Sequence, residues 1–300
     1  MLGGILAGLG AGALWGLVFV VPRMTPGLSS VDLTAGRFVS YGAMAALVMM
    51  FTWRSHQWPT ARQALAAMGL SLLGATGYYL LLTLAIHRAG TEVPTLIIGT
   101  IPIWVMLLGK PLGLTWTSLL PGLVLTLTGL ALMMYAMNPA LPSASTPGDT
   151  QFWWGVVLAL GAMVSWTAFA LLNAAWLKRH RDVSATEWAN WLGIATGAGA
   201  LLLWLVAGSD AGQLRALDDI VFLMVVCMAT GIGSAWAASI LWNIASRRLS
   251  ASLCGQLIVS ETLLALFYSF AWDAQWPSAP QWLAAALFTL GIVASIRAHR

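Results

Sequence analysis

Charge is what this sequence has least of. Only 8% of its 300 residues are Asp, Glu, Lys or Arg, against 59% hydrophobic residues and a mean hydropathy of +0.83. A soluble globular domain carries about 25% charged residues, so this chain lacks the groups to cover a water-facing surface. Cysteine is nearly absent too: Cys227 and Cys254 both lie in apolar blocks. That excludes a disulfide framework, and no Cys/His cluster offers a metal site. The four histidines, His56, His87, His180 and His299, all fall at block ends or in loops. An intramembrane serine hydrolase needs a buried Ser–His pair, so Gly233-Ser234 is only a superficial match to one. No GxxxxGK[ST] stretch is present, so direct use of ATP is not expected. The net charge of +4 is no nucleic-acid footprint, because the basic residues are scattered in short clusters between apolar blocks. No cofactor, no metal and no nucleic-acid partner are expected.

What the chain has is a series of apolar blocks of bilayer length. A helix needs about 20 apolar residues to cross about 30 Å of hydrocarbon. Such blocks run over about 3–22, 30–52, 64–87, 91–109 and 116–136, then about 152–177, 184–207, 219–244, 250–271 and 280–297. The first lacks a basic leader and is glycine-rich, which reads as a spanning helix rather than a signal peptide. Between the two sets of five lies 138–151, NPALPSASTPGDTQ, without a Val, Ile, Met or aromatic residue. The expected organisation is a first five-helix repeat over 1–137, a linker at 138–151 and a second repeat over 152–300.

Orientation follows from the positive-inside bias. With the N-terminus in the cytosol, the inside segments hold Arg54, Arg62, Lys110, Lys178, Arg179, Arg181, Arg247, Arg248, Arg297 and Arg300. The outside segments hold only Arg23, Arg88 and Arg215, and Arg37 lies within a block. Ten against three predicts a multi-pass protein of the inner (plasma) membrane, both termini cytoplasmic and the linker external.

The halves also repeat. Gly4, Leu9, Gly10, Ala11 and Trp15 recur 151 positions later as Gly155, Leu160, Gly161, Ala162 and Trp166; Ala85 and Arg88 recur 160 positions later as Ala245 and Arg248. Five is odd, so a second copy must sit upside down relative to the first. The expected fold is an all-α membrane protein of ten transmembrane helices in two inverted five-helix repeats, with a substrate path between them.

Several residues are candidates for that path. Trp15 and Trp166 occupy equivalent positions and lie deeper than an interfacial belt requires; they line a cavity or pack helices. Tyr78 and Tyr79 sit mid-block, where a hydroxyl needs a partner, so at least one faces the interior. Glu261 is the only carboxylate near the middle of a block. At about 2.5–3.5 kcal/mol for a charge there, it needs a partner or water. It serves as a proton site, an ammonium partner, or a structural node with Arg37. Gln256 and Ser260 share one helix face, and Asn190 and Trp191 add polar groups at depth; each reads as a substrate contact or as helix-to-helix bonding. His87 closes the third block as an end residue or a gate. Gly4, Gly8, Gly12 and Gly16 form one smooth ridge for close packing or sliding, and Pro94 and Pro102 mark bends in the fourth block.

The motifs resemble the EamA branch of the drug/metabolite transporter superfamily over nearly the whole chain. They are Ala13-Leu14-Trp15-Gly16, Arg37-Phe38, the run from Tyr79 to Ala89, Ser165-Trp166, Leu241-Trp242-Asn243-Ile244-Ala245 and Glu261. Thr262 stands where the family often has proline, and Lys110 where the first half often ends in Glu. The tryptophan-rich character resembles YddG-type exporters of aromatic amino acids. The resemblance implies a secondary transporter rather than an enzyme, exporting small metabolites by alternating access and working as a monomer in the lipid bilayer. Aromatic or other apolar amino acids are the leading substrates. A sugar-phosphate carrier would want more buried cations than Arg37, whereas a multidrug or quaternary-cation exporter stays open, because Glu261 and tryptophans suit a cation.

Overall fold

In the computed structural model, residues 1–300 are described except 26, 53–57, 91, 137–149, 216, 218, 275 and 300. Among the described residues there is no strand, and nine helices are long and apolar enough to cross a membrane. In chain order these and one shorter apolar helix are α1 Leu2–Met24, α2 Ser30–Phe51, α3 Ala61–Ala89, α4 Val93–Leu108, α5 Trp116–Ala136, α6 Thr150–Arg179, α7 Ala185–Ala207, α8 Ile220–Arg248, α9 Ala251–Asp273 and α10 Ala279–Ala298. Their bounds follow the apolar blocks closely. Most of the expected linker lies outside the described residues, and its last two positions, Thr150 and Gln151, belong to α6.

Local chemistry marks where the helices start. Ser29, Thr60, Ser184 and Ser250 each accept a hydrogen bond from the backbone N–H three residues on, meeting a donor the helix leaves unpaired. Thr60–Gln63, Ser184–Glu187 and Ser278–Gln281 form capping boxes. The fourth helix breaks at Thr100, two residues before Pro102. Proline has no N–H to continue the ladder, and at the break the Thr100 N–H and hydroxyl both donate to the Ile97 carbonyl, at 3.1 and 2.6 Å. Pro94 leaves its stretch helical, so only one of the two expected bends is sharp.

The helices pair across the two halves. α2 packs on α7, α5 on α10, and α4 on α9; α3 packs on α6 as α1 packs on α8; α4 packs on α6 as α1 packs on α9. Exchanging the first five helices for the last five maps each pairing onto itself or onto another in that set. One feature follows the same rule: α3 carries a π-helical turn at Leu72–Thr76, and α8 carries one at Gly231–Ala237, about 160 positions later. Such turns interrupt the regular ladder and frequently accompany functional sites.

α2 and α7 approach each other closely. A Cβ on Gly42 would lie 2.9 Å from the Gly197 Cα and 3.1 Å from the Gly193 carbonyl oxygen; one on Gly197 would lie 2.8 Å from the Gly42 Cα and 3.3 Å from the Phe38 carbonyl oxygen. Two backbones touch here because neither residue has a side chain. The glycine ridge of α1 does similar work, resting Gly8 on Leu257 and Gly16 on the backbone of Glu261 and Ala265. Gly42→Ala is expected to destabilise the protein by about 1–3 kcal/mol, because the new methyl meets backbone that cannot give way. Gly69→Ala meets nothing within 4 Å and is expected to stabilise α3 by about 0.5–1 kcal/mol. Thermal unfolding in one lipid-detergent mixture checks both, and equal effects would contradict the contact.

Candidate functional site

The middle of the protein is aromatic. Trp242 of α8 is 2% exposed, with the ring of Trp15 at 5.4 Å and that of Trp166 at 6.4 Å. The two tryptophans at equivalent places in the sequence therefore meet around a third. Trp166 also lies edge-on to Phe169 at 6.0 Å, and Tyr78 packs against the same core from α3. Trp15, Trp166 and Tyr78 are half-buried. The indole N–H of Trp242 is buried without an acceptor, a donor that a bound molecule can use.

Beside this cluster stand the two mid-membrane charges. Gly12 and Gly16 seat α1 on the backbone of α9 at Glu261, which sets Trp15 and Glu261 at similar depth. On the other side, Gly231 in the π-turn of α8 presses on the Arg37 carbonyl of α2. Arg37, Tyr78, Tyr79 and Glu261 thus lie within electrostatic reach of one another. The Arg37 guanidinium sits over the Phe38 ring at 5.0 Å, and its Nε is buried without an acceptor. Arg37 and Glu261 do not close into a direct ion pair; among the described residues the ion pair found is Arg23–Asp273, at the surface. The expected Arg37–Glu261 node is therefore not a direct ion pair.

Other candidates sit elsewhere. The Tyr79 hydroxyl donates to the Ser30 carbonyl at 3.0 Å, tying α3 to the start of α2. Gln256 is fully buried; its amide donates to Thr126 at 2.9 Å and accepts from Ser295 at 3.1 Å, joining α9 to α5 and α10. Ser260 donates to the Leu257 carbonyl at 2.6 Å beneath Gly12. Asn190 accepts from the Trp236 indole at 2.8 Å, and Trp191 packs edge-on to Trp188 and Trp176, within six residues of the start of α7. These four have structural partners, although the Asn190 amide nitrogen and the Trp191 indole N–H are buried without acceptors. His87 is exposed at the end of α3. The residue that sequence reasoning underweighted is Trp242. It was visible in the Leu241-Trp242-Asn243 motif and in its place six residues inside the end of α8, away from the interfacial tryptophans.

Residues 2–135 match the model of the EamA-like transporter family. Over 312 aligned residues the chain is 32% identical to the inner membrane protein YtfF of Escherichia coli (strain K12), covering 99% of this chain and 96% of that protein. The chain belongs to the EamA family of membrane transporters. A solved crystal structure 19% identical to this EamA transporter superposes with a TM-score of 0.77 over 98% of both chains, a likeness of fold. The Arg37–Phe38 pair, Trp15 and Tyr79 all lie in the part that the family model covers, whereas Trp166, Trp242 and Glu261 lie beyond it. Gln256→Ala in this EamA transporter is expected to cost about 1–3 kcal/mol, since it leaves Thr126 and Ser295 without their partner. The tryptophan emission of the Trp242 cluster should be unchanged. A shifted emission with unchanged thermal unfolding would place Gln256 at the cluster instead.

Proposed function

We propose that this EamA transporter is a secondary transporter of the inner membrane, with ten crossings in two inverted repeats, 1–137 and 152–300, joined externally by 138–151. It exports small zwitterions with an aromatic or apolar side chain, amino acids above all, by alternating access between the repeats. The exchange of pairings between the first and last five helices supports the inverted arrangement. Its α4 is the short member, and the break at Thr100 makes it a natural place for bending.

What supports the substrate reading is that Arg37 and Glu261 lie within electrostatic reach without a direct ion pair, near a cluster of three tryptophans. Opposite charges in a low-dielectric interior attract strongly, and a pair not in direct contact there leaves each charge under-compensated. A zwitterionic amino acid brings both missing partners: a carboxylate for Arg37 and an ammonium for Glu261. Its side chain then lies against Trp15, Trp166 and Trp242, with Tyr78 alongside. A quaternary cation would answer Glu261 and the tryptophans while leaving Arg37 without an anion. The arrangement therefore favours amino acids over cationic drugs. Transport would not need ATP; a substrate or proton gradient would drive it, with Glu261 free to take a proton when the site is empty.

Counterflow in proteoliposomes tests this reading with labelled aromatic and apolar amino acids beside quaternary ammonium compounds. Exchange of the amino acids is expected; exchange of the cations alone would sink the substrate assignment. Arg37→Gln and Glu261→Gln should each reduce amino-acid exchange by about tenfold or more, because each leaves one charged end of the substrate unpaired.

A further inference from the structure

The π-helical turn of α3 grips α6 on both sides of Trp166. At this turn the Gly77 N–H donates to the Leu72 carbonyl, five residues back rather than four. The next carbonyl, that of Leu73, accepts the Ser165 hydroxyl of α6 at 2.8 Å. The residue after it, Gly74, lies under the Phe169 ring, and a Cβ there would run into three of the ring carbons. Phe169 in turn stands edge-on to Trp166 at 6.0 Å. One tie therefore comes one residue before Trp166 and the other three residues after it, both from the same turn.

A π-turn takes up one residue beyond the regular ladder, so without it the two parts of α3 would be turned by about 100° relative to each other. The turn lets Gly74 face α6 while Tyr78, in the next part of α3, packs against the aromatic centre. Neither tie has room to slip. Leu73 and Phe169 also pack against the buried core of Met49, Trp188 and Leu192, which fills the space behind them. A ring pressed from Gly74 thus moves toward Trp166, whose other ring neighbour is Trp242.

We propose that the π-turn of α3 is the seat that positions Trp166, with Ser165, Gly74 and Phe169 as positioning residues, and that it sets the side-chain size the site prefers. This rests on the reading above in which Trp15, Trp166 and Trp242 form the wall for the substrate's side chain. The Ser165 tie fixes where the Trp166 backbone sits against α3, and Phe169 fixes how far the Trp166 indole stands from Trp242. Room between those indoles admits a large ring or excludes it. The charged ends of an amino acid are the same whatever its side chain. The seat therefore acts on the choice among amino acids rather than on the roles of Arg37 and Glu261.

Fluorine NMR of the full chain in lipid nanodiscs, with 5-fluorotryptophan at all 17 tryptophans, tests the seat without any substrate. The Trp166 signal is the one that Trp166→Phe removes. Gly74→Ala and Ser165→Ala should each move it, whereas Ser165→Thr, which keeps the hydroxyl, should leave it at its wild-type position. Ser71→Ala breaks the bond to Thr196 just before the turn and should also leave it in place. A Trp166 signal unmoved by Gly74→Ala and Ser165→Ala, or moved as far by Ser71→Ala, overturns the proposal; either of the first two variants that folds suffices. Equilibrium binding of radiolabelled tryptophan and valine then reads selectivity. Gly74→Ala should lower the affinity for tryptophan relative to valine about tenfold. An unchanged ratio with a moved Trp166 signal overturns the size preference. If the wild type binds neither amino acid, the substrate reading falls, and the fluorine signals still decide the seat.

Discussion

Two backbones in van der Waals contact, at Gly42 and Gly197, set the geometry on which the rest of the protein depends. Side chains at both positions would hold α2 and α7 farther apart, since a Cβ on either would already fall under 3 Å from the other's Cα. Lipid tails are as apolar as leucine, so helices in a bilayer are not driven together by the hydrophobic effect, and close packing of small residues takes its place. The contact is reciprocal, each glycine meeting the Cα of the other. From it, α2 is fixed against both α7 and α8, and Arg37 is held one turn from the crossing with its carbonyl under Gly231.

The same logic explains how a strongly apolar protein tolerates charges near its centre. Arg37 and Glu261 come from different helices, and each helix is pinned by glycines: α2 by Gly42 and Gly231, α9 by the ridge of α1. Elsewhere, buried polar groups are joined in structural links: Gln256 with Thr126 and Ser295, Ser71 with Thr196 at 2.8 Å, Tyr41 with the Ala189 carbonyl at 2.7 Å. Arg37 Nε and Trp242 Nε1, like the Asn190 amide nitrogen and the Trp191 indole N–H, are buried donors without an acceptor.

Helix bounds and the equivalent places of Trp15 and Trp166 were legible in the sequence because they depend on block length, capping residues and internal offset. The break in α4 was half legible: Pro102 produces it, but Pro94 sits early in its helical stretch, where a missing N–H costs little. Which polar residues face the site was not legible. A helix apolar all round has no polar face to show which side points inward. Gln256 looks like a pocket residue until its partners appear, and these lie 130 and 39 residues away in the chain. Asn243 and Asn173, 70 residues apart, likewise find each other only through the fold.

The account's central claim is that the site recognises both ends of a zwitterion at once. The most direct measurement is equilibrium binding to the purified transporter, followed by quenching of tryptophan emission, with three ligands sharing one aromatic side chain: the amino acid, its decarboxylated amine and its deaminated acid. Saturable quenching by the amino acid, at least tenfold tighter than by either relative, is the result that Arg37 and Glu261, not directly paired, predict. Equal or tighter binding of the amine would contradict it and return the site to the cation exporters.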